Sequence, residues 1–110
     1  MAIDYSRAMA AYKVGAEEGN RMCQHQVGYM YCHGHGVAVD YKQAWVWLEK
    51  AAAQGHPAAV NQLGVMYSDG KGVTPSFRRA REFYQRAIEL GDSRAVKNIQ
   101  TLTEDIQNVS

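Results

Sequence analysis

The segment Cys32-His33-Gly34-His35 holds the residue types of this sequence that are best suited to chemistry. Cysteine and histidine are common zinc ligands, and a cysteine beside a histidine can form a thiol nucleophile with its general base. Other features argue against both. His25 lies eight residues before His33, about 12 Å away along a helix, and no second cluster supplies a fourth ligand, an orienting group or an oxyanion site. We therefore predict no metal, no cofactor and no catalytic activity.

The elements that position this segment belong to an internal repeat, because the sequence aligns with itself when it is shifted by 36 residues. DYSRAMAAYKVGAEEGN from Asp4 matches DYKQAWVWLEKAAAQGH from Asp40 and SFRRAREFYQRAIELGD from Ser76. CQHQVGYMYCHGHGV from Cys23 matches AVNQLGVMYSDGKGV from Ala59. The CHGH loop is thus SDGK in the next copy, so the loop forms without cysteine or histidine. A repeat of this length predicts stacked helical units.

The recurring residues predict where helices begin, end and pack. Asp4, Asp40 and Ser76 are suited to N-caps, as are Asn20 and Asp92. Glycines suited to helix ends and tight loops recur as well. Small and large packing residues share one face of a helix, and these are Ala8, Ala44 and Ala80 with Tyr12, Leu48 and Tyr84. Gly28 and Gly64 fall inside helices, where glycine is unfavourable, which indicates close helix crossings.

Six helices follow from this pattern, at roughly 4–18, 20–33, 40–54, 56–69, 76–90 and 92–107. Short links make neighbouring helices antiparallel. A single such helix pair cannot bury its apolar face alone, so the pairs stack. We expect one domain over 1–110, with repeat units at roughly 4–19, 20–55 and 56–91 and a C-terminal capping helix at 92–107.

The segments NQLGVMYSDGKGV, RAREFYQRAIELGD and AVDYKQAWVWLEKAAAQGHPAA resemble the SEL-one-like repeat, a relative of the tetratricopeptide repeat. The resemblance covers almost the whole chain. It implies an all-α fold, a right-handed α-solenoid of antiparallel helix pairs. It also implies an adaptor that binds a protein or peptide partner, with no cofactor and no catalytic residue.

A binding surface follows by analogy with tetratricopeptide arrays, in which the first helix of each pair lines the concave groove. The corresponding positions form one helical stripe and differ between copies, whereas the packing positions recur. We call these positions the groove stripe: Met22, His25, Tyr29, Cys32 and His33 in the first copy, Ala58, Asn61, Val65, Ser68 and Asp69 in the second, and Arg94, Lys97, Thr101, Glu104 and Asp105 in the third.

Two other features suggest alternative surfaces. Arg78, Arg79, Arg81 and Arg86 make the fifth helix basic, so a nucleic-acid-binding solenoid is the alternative function, although the net charge is only +1 and no aromatic stacking platform accompanies the arginines. Trp47 falls at a packing position. Trp45 either fills a gap beside a neighbouring repeat or is an exposed anchor for a partner.

The expected location is intracellular and cytoplasmic. The N-terminal stretch carries charges at Asp4, Arg7 and Lys13 and therefore lacks the uninterrupted apolar run of a signal peptide. No apolar run reaches the length of a membrane span. Cys23 and Cys32 lie nine residues apart, about 13 Å along one helix, too far for a disulfide within it, so we expect two thiols and a reducing compartment.

Overall fold

Helices account for nearly all regular structure in the computed structural model, which describes the backbone of residues 4–109 and the side chains of residues 4–105 and 107. Six α-helices and no strands occur in this part of the chain, and their bounds are α1 Tyr5–Glu17, α2 Arg21–His33, α3 Tyr41–Ala53, α4 Pro57–Asp69, α5 Phe77–Glu89 and α6 Arg94–Val109. The predicted helices and the all-α repeat fold are confirmed, with boundaries shifted by one or two residues in most cases. Residues 1–3 and 110 of the predicted domain lie outside the described residues.

The predicted N-caps hold the beginnings of the odd-numbered helices. Asp4 Oδ1 accepts a hydrogen bond from the backbone N–H of Arg7 at 3.1 Å, and the caps Asp40 and Ser76 make the same i+3 contact. Gly34 and Gly70, just after α2 and α4, both adopt φ of +70°, a left-handed conformation that glycine tolerates at little cost. Local sequence therefore fixes where these helices begin and end.

The described chain forms two compact units, Met1–His56 (unit 1) and Pro57–Ser110 (unit 2). In unit 1, α2 packs against both α1 and α3. The core is a cluster of the buried side chains Met9, Ala16, Val27, Met30 and Trp47. The predicted packing role of Trp47 is confirmed, since only 8% of its surface is exposed.

A buried glutamine joins the turn between α1 and α2 to the end of α3. Gln24 is 4% exposed, and its Nε2 donates to the carbonyl of Ala16 at 3.2 Å. Its Oε1 accepts from Gln54 Nε2 at 2.8 Å, and the same Gln54 amide also donates to the carbonyl of Gly19. Because both ends of the Gln24 side chain are bonded, its burial carries no unsatisfied polar atom.

In unit 2, α5 packs against α4 and α6, and α4 also reaches α6. A Cβ added at Gly64 would lie 2.6 Å from Cε1 of Tyr84. At this position α4 therefore packs so close to α5 that only glycine, which has no Cβ, fits without a shift. The equivalent crossing in unit 1 puts Gly28 against Leu48, also at 2.6 Å. The predicted reason for both interior glycines is confirmed.

Candidate partner-binding site

The CHGH segment spans the end of α2 and the loop that follows it. Cys32 is buried on α2, whereas His33, the last residue of α2, is exposed. The backbone N–H of His35 bonds to the carbonyl of Met30 at 3.0 Å, which turns the chain back over the helix. Among the residues that the structure describes, no group of three or more histidine, cysteine and acidic side chains could hold a metal ion.

The histidine rings of this segment contact tyrosines. His35 stacks on Tyr5 of α1 with centroids 4.5 Å apart and planes 21° apart. His33 lies 4.1 Å from the ring of Tyr29, and His35 lies 6.0 Å from the same ring. Tyr29 therefore packs against His33 and His35, whose rings also lie 5.8 Å from each other.

The ring contacts extend along α2 to the end of unit 1. His25 lies 6.3 Å from Tyr29 and 5.1 Å from His56, in an edge-to-face arrangement with the latter. We call this set the histidine–tyrosine cluster: Tyr5, His25, Tyr29, His33, His35 and His56. It contains all 4 histidines of the chain.

Beside this cluster lies an open cavity of about 380 Å³ between α1 and α2. It is here called the α1/α2 cavity, and it is lined by Tyr5, Ala8, Tyr12, Gln26, Tyr29, Met30 and His35. The three tyrosines remain 37–40% exposed. The lining combines aromatic and apolar surface with one amide and one imidazole, and aromatic residues are enriched at protein–protein interfaces.

Comparison with known proteins identifies the repeat. A sequence profile of the Sel1 repeat matches residues 21–56 and 57–92, one residue later than the repeat units expected from the spacing. The chain belongs to the Sel1 repeat family. No curated protein sequence matches this Sel1 repeat chain significantly.

Two solved structures of Sel1 repeat proteins are similar to this chain. A Sel1 repeat protein from Oxalobacter formigenes is 38% identical, with a TM-score of 0.81 over 87% of this chain. The protein c5321, a protective antigen of uropathogenic Escherichia coli with an SLR fold, is 37% identical, with a TM-score of 0.79 over 84% of this chain. The alignments span only 39% and 20% of those two proteins, respectively.

The first copy of the groove stripe is exposed or partly buried at every position except Cys32. Met22 is 65% exposed and Tyr29 is 38% exposed, while His25 is partly buried and His33 is exposed. Cys32 is only 4% exposed. The prediction that Cys32 is a surface residue is wrong, because it lies on the buried face of α2.

The second copy of the groove stripe also requires a correction. Asn61 is only 9% exposed, and its Oδ1 accepts a hydrogen bond from Asn98 Nδ2 of α6 at 2.8 Å. Asn61 therefore contacts α6 instead of forming part of an open surface. The other members, Ala58, Val65, Ser68 and Asp69, are partly buried or exposed.

In the third copy, Arg94, Lys97, Thr101, Glu104 and Asp105 are all exposed. Arg94 forms a bidentate salt bridge with Asp92. Its Nε donates to Oδ1 and its Nη2 donates to Oδ2, each at 3.0 Å. These hydrogen bonds raise the pKa of Arg94. Asp92 also accepts from the backbone N–H of Arg94 at 3.0 Å, so it helps to cap α6 as predicted.

The two alternative surfaces, the arginines of the fifth helix and Trp45, differ in their exposure to solvent. Arg78, Arg79, Arg81 and Arg86 are exposed on α5, although Arg78 lies 3.6 Å from Glu82. Trp45 is partly buried and its indole nitrogen is inaccessible to solvent. The exposed-anchor interpretation of Trp45 is therefore disfavoured.

Several cavity residues were not predicted as functional from the sequence. Tyr5, Tyr12 and Gln26 line the α1/α2 cavity, yet the 36-residue register makes Tyr12 a packing position equivalent to Leu48, which is fully buried. Tyr12 is 37% exposed because no described helix places a glycine against it.

Proposed function

We propose that this Sel1 repeat chain is a non-catalytic adaptor that binds a protein or peptide partner through the members of its groove stripe other than the buried Cys32 and Asn61. Sel1 repeat proteins are generally protein–protein interaction scaffolds. The specific proposal for this chain is that α2, α4 and α6 supply the contacts, without a cofactor. None of the helices in the described range is long and apolar enough to cross a membrane. The cysteines Cys23 and Cys32 form no disulfide, and thiols of this kind are typical of a reducing cytoplasmic compartment.

The proposal rests on the exposure of Tyr29 and on the contacts that its ring makes. It is 38% exposed, yet its ring is fixed by His33 at 4.1 Å and by His35 at 6.0 Å. Tyrosine is enriched among binding hot spots because it offers a large apolar face and a hydrogen-bonding tip. A side chain already held in place loses little conformational freedom on binding. Tyr29 is therefore a preorganised anchor.

The rest of the groove stripe supplies chemistry suited to selecting a partner. Met22 offers adaptable apolar contact and Val65 a stiffer apolar surface, while Asp69 and Lys97 offer charges of opposite sign. Exposed charges of this kind contribute more to orientation and association rate than to affinity. We expect Tyr29 to dominate the binding energy, with these residues setting specificity.

Capture experiments test this function directly. The full chain, immobilised as wild type, Tyr29→Ala or Val46→Ala, is exposed to native lysate and bound proteins are identified by mass spectrometry. Val46 is the matched control because it is an exposed apolar residue, 47% accessible, on α3 and outside the groove stripe. We expect a protein retained by wild type and Val46→Ala and lost from Tyr29→Ala. Equal retention by all three baits would reject the groove stripe as the site.

The alternative is a nucleic-acid-binding solenoid that uses the exposed arginines of α5. A phosphate-binding surface would lose affinity steeply as salt rises. Glu82 interrupts this surface and pairs with Arg78, which weakens the positive field. Affinity for RNA or DNA that falls at least about a hundredfold between 50 and 200 mM salt, and that is abolished in Arg79→Ala, would favour this alternative over the adaptor.

A further inference from the structure

The positive charge of this chain is concentrated on one helix of unit 2. The sequence of α5, FRRAREFYQRAIE, contains four arginines and two glutamates and therefore carries a net charge of +2. The whole chain has a formal net charge of only +1. Because the rest of the chain is nearly neutral, α5 is the helix that attracts an anionic ligand.

An open cleft of about 160 Å³ lies on the surface of this helix. It is here called the α5 cleft, and it is lined by Arg79, Glu82, Phe83 and Arg86. Pockets for small molecules are usually larger, at about 300–1,000 Å³. The size of the α5 cleft therefore favours a side chain of a protein partner over a small-molecule ligand.

Phe83 gives the α5 cleft an apolar floor. It is partly buried, whereas the other three lining residues are exposed. Its ring stacks on the ring of Tyr67 of α4, with centroids 5.6 Å apart and planes 22° apart. An aromatic ring held in this way offers a preorganised surface to an apolar side chain.

Two arginines flank this floor. Arg79 lies four residues before Phe83 and Arg86 lies three residues after it, so all three share one face of α5. The two arginines are about 6 Å and 4.5 Å from Phe83 along the helix axis. The carboxylate of Glu82 lies 3.6 Å from Arg78, which is outside the cleft. Arg78 thus offsets the charge of Glu82, and the cleft keeps an excess of positive charge.

The equivalent positions of α3, 36 residues earlier, show which features are specific to unit 2. These positions carry Gln43, Val46, Trp47 and Lys50. Lys50 is the one cation among them, and its Nζ lies 4.8 Å from the ring centroid of Trp47. In unit 1 the aromatic ring is thus already contacted by a cation of the chain itself, whereas unit 2 adds a second cation, Arg79.

We propose that the α5 cleft binds an extended acidic segment of a protein partner, which places an apolar side chain on Phe83 and carboxylates two residues to either side on Arg79 and Arg86. An extended chain advances about 6.6 Å over two residues, close to the spacing of each arginine from Phe83. Arginine forms charge-assisted and often bidentate hydrogen bonds with carboxylates. This surface on unit 2 is additional to the groove stripe and independent of it.

A nucleic acid fits the α5 cleft less well than an acidic peptide. Glu82 lies between Arg79 and Arg86 in the lining of the cleft, and its carboxylate opposes a continuous row of phosphates because like charges in contact are unfavourable. The proposed peptide places its uncharged apolar side chain in the middle and its carboxylates at the two ends. Its charges therefore match the arrangement of the cleft.

The probe that tests this proposal is the fluorescein-labelled peptide GGESFSEGG. Fluorescence anisotropy with the full chain at low ionic strength, where exposed charges are weakly screened, should show saturable binding. The permuted peptide GGFSSEEGG has the same composition and charge, and it should bind about fivefold more weakly because its carboxylates cannot reach both arginines. Replacing phenylalanine by alanine in the first peptide should weaken binding about tenfold, the usual effect of removing an aromatic anchor.

Variants of the full chain locate the bound peptide. Arg79→Gln introduces the residue that α3 carries at the equivalent position 43, and it should weaken binding about fivefold. Arg81→Gln is the matched control, since Arg81 is exposed on the same helix and does not line the α5 cleft. The control removes the same charge and should change the affinity by about twofold or less. Circular dichroism of both variants should match wild type, because both positions are exposed.

Four results would overturn the proposal. The first is no saturation up to about 1 mM peptide, which corresponds to an affinity too weak to be specific. The second is equal binding of the two peptides of identical composition. The third is an equal loss in Arg79→Gln and Arg81→Gln, which would indicate attraction to net charge alone. The fourth is tighter binding of an oligothymidylate than of the peptide, which would make a nucleic acid the ligand of α5.

The Tyr29→Ala variant separates this inference from the proposed function. Peptide binding that is retained in Tyr29→Ala and weakened in Arg79→Gln would support the α5 cleft, even if no Tyr29-dependent partner is captured from lysate. Peptide binding that is lost in Tyr29→Ala and retained in Arg79→Gln would place the peptide on the groove stripe and overturn the proposal for α5.

Discussion

Tyr12 in unit 1 and Tyr84 in unit 2 occupy the same repeat position, 72 residues apart, yet one is 37% exposed and the other 3% exposed. The difference arises from Gly64, which lets α4 lie on Tyr84. The same residue type is thus part of the core in one unit and partly exposed to solvent in the other.

The largest expected effect compares these two tyrosines directly. Tyr84→Ala should lower the free energy of unfolding by about 3–5 kcal/mol, as is usual for removing a buried aromatic side chain. Tyr12→Ala should lower it by about 1 kcal/mol or less, because exposed side chains contribute little. Urea denaturation of both variants checks this difference, and equal losses would show that Tyr12 is not an open position.

The second effect concerns the crossing that covers Tyr84. Gly64→Leu should destabilise the protein by about 1–3 kcal/mol, the usual cost of overpacking, despite the better helix propensity of leucine. Gln100→Leu provides the control, because Gln100 is exposed at the same repeat position on α6 and its replacement should change stability by about 0.5 kcal/mol or less. A Gly64→Leu variant that melts at or above the wild-type temperature would contradict the close crossing.

A smaller effect on stability is expected from removing the side-chain amides of Asn98 and Gln26, which occupy equivalent repeat positions. Asn98→Ala should cost about 1–2 kcal/mol, since it leaves the buried Oδ1 of Asn61 without its donor. Gln26→Ala, at the equivalent position of unit 1, should change stability by about 0.5 kcal/mol or less because it is not covered by a helix. Thermal melts of the two variants measure this difference, and a larger loss in Gln26→Ala would reverse the comparison.

The remaining effect is a pH dependence that involves Tyr84 of unit 2. Burial raises the pKa of Tyr84 to about 12, with the nearby charge of Asp69 adding to the rise and a hydrogen bond to Ser68 opposing it. The unfolded chain releases this proton near pH 10, so between pH 10 and 12 the folded state binds more protons and stability falls as the pH rises. The stabilising contribution is fully present below pH 10.

Tyr84→Phe tests this dependence because phenylalanine has no proton to lose. Its melting temperature should fall less steeply than that of wild type between pH 10 and 12. Identical slopes in wild type and Tyr84→Phe would show that the Tyr84 hydroxyl does not contribute to the alkaline loss.

The fold could be predicted from the sequence because its signals are local and repeated. Caps such as Asp4 and Asp40 act within three residues, and the glycines of the crossings recur at one spacing. The all-α repeat architecture, the six helices and the close approaches at Gly28 and Gly64 all follow from these signals and are confirmed.

The candidate site was less predictable because exposure depends on tertiary partners. The stripe analogy placed Asn61 on an open surface, whereas α6 supplies Asn98 and covers it. It also did not include Tyr12, whose exposure results from the absence of a covering helix within the described residues. The contacts of His35 with Tyr5 and Tyr29 join residues far apart in sequence, and periodicity carries no information about them.

Isothermal titration of a captured partner with Tyr29→Ala and Trp45→Ala tests the central claim most directly. The account predicts that Tyr29→Ala weakens binding by about 1–3 kcal/mol, the usual hot-spot range, while its melting temperature stays within a few degrees of wild type. Trp45→Ala should leave the affinity unchanged. Unchanged affinity in Tyr29→Ala together with a loss in Trp45→Ala would contradict the account and place the binding surface on α3.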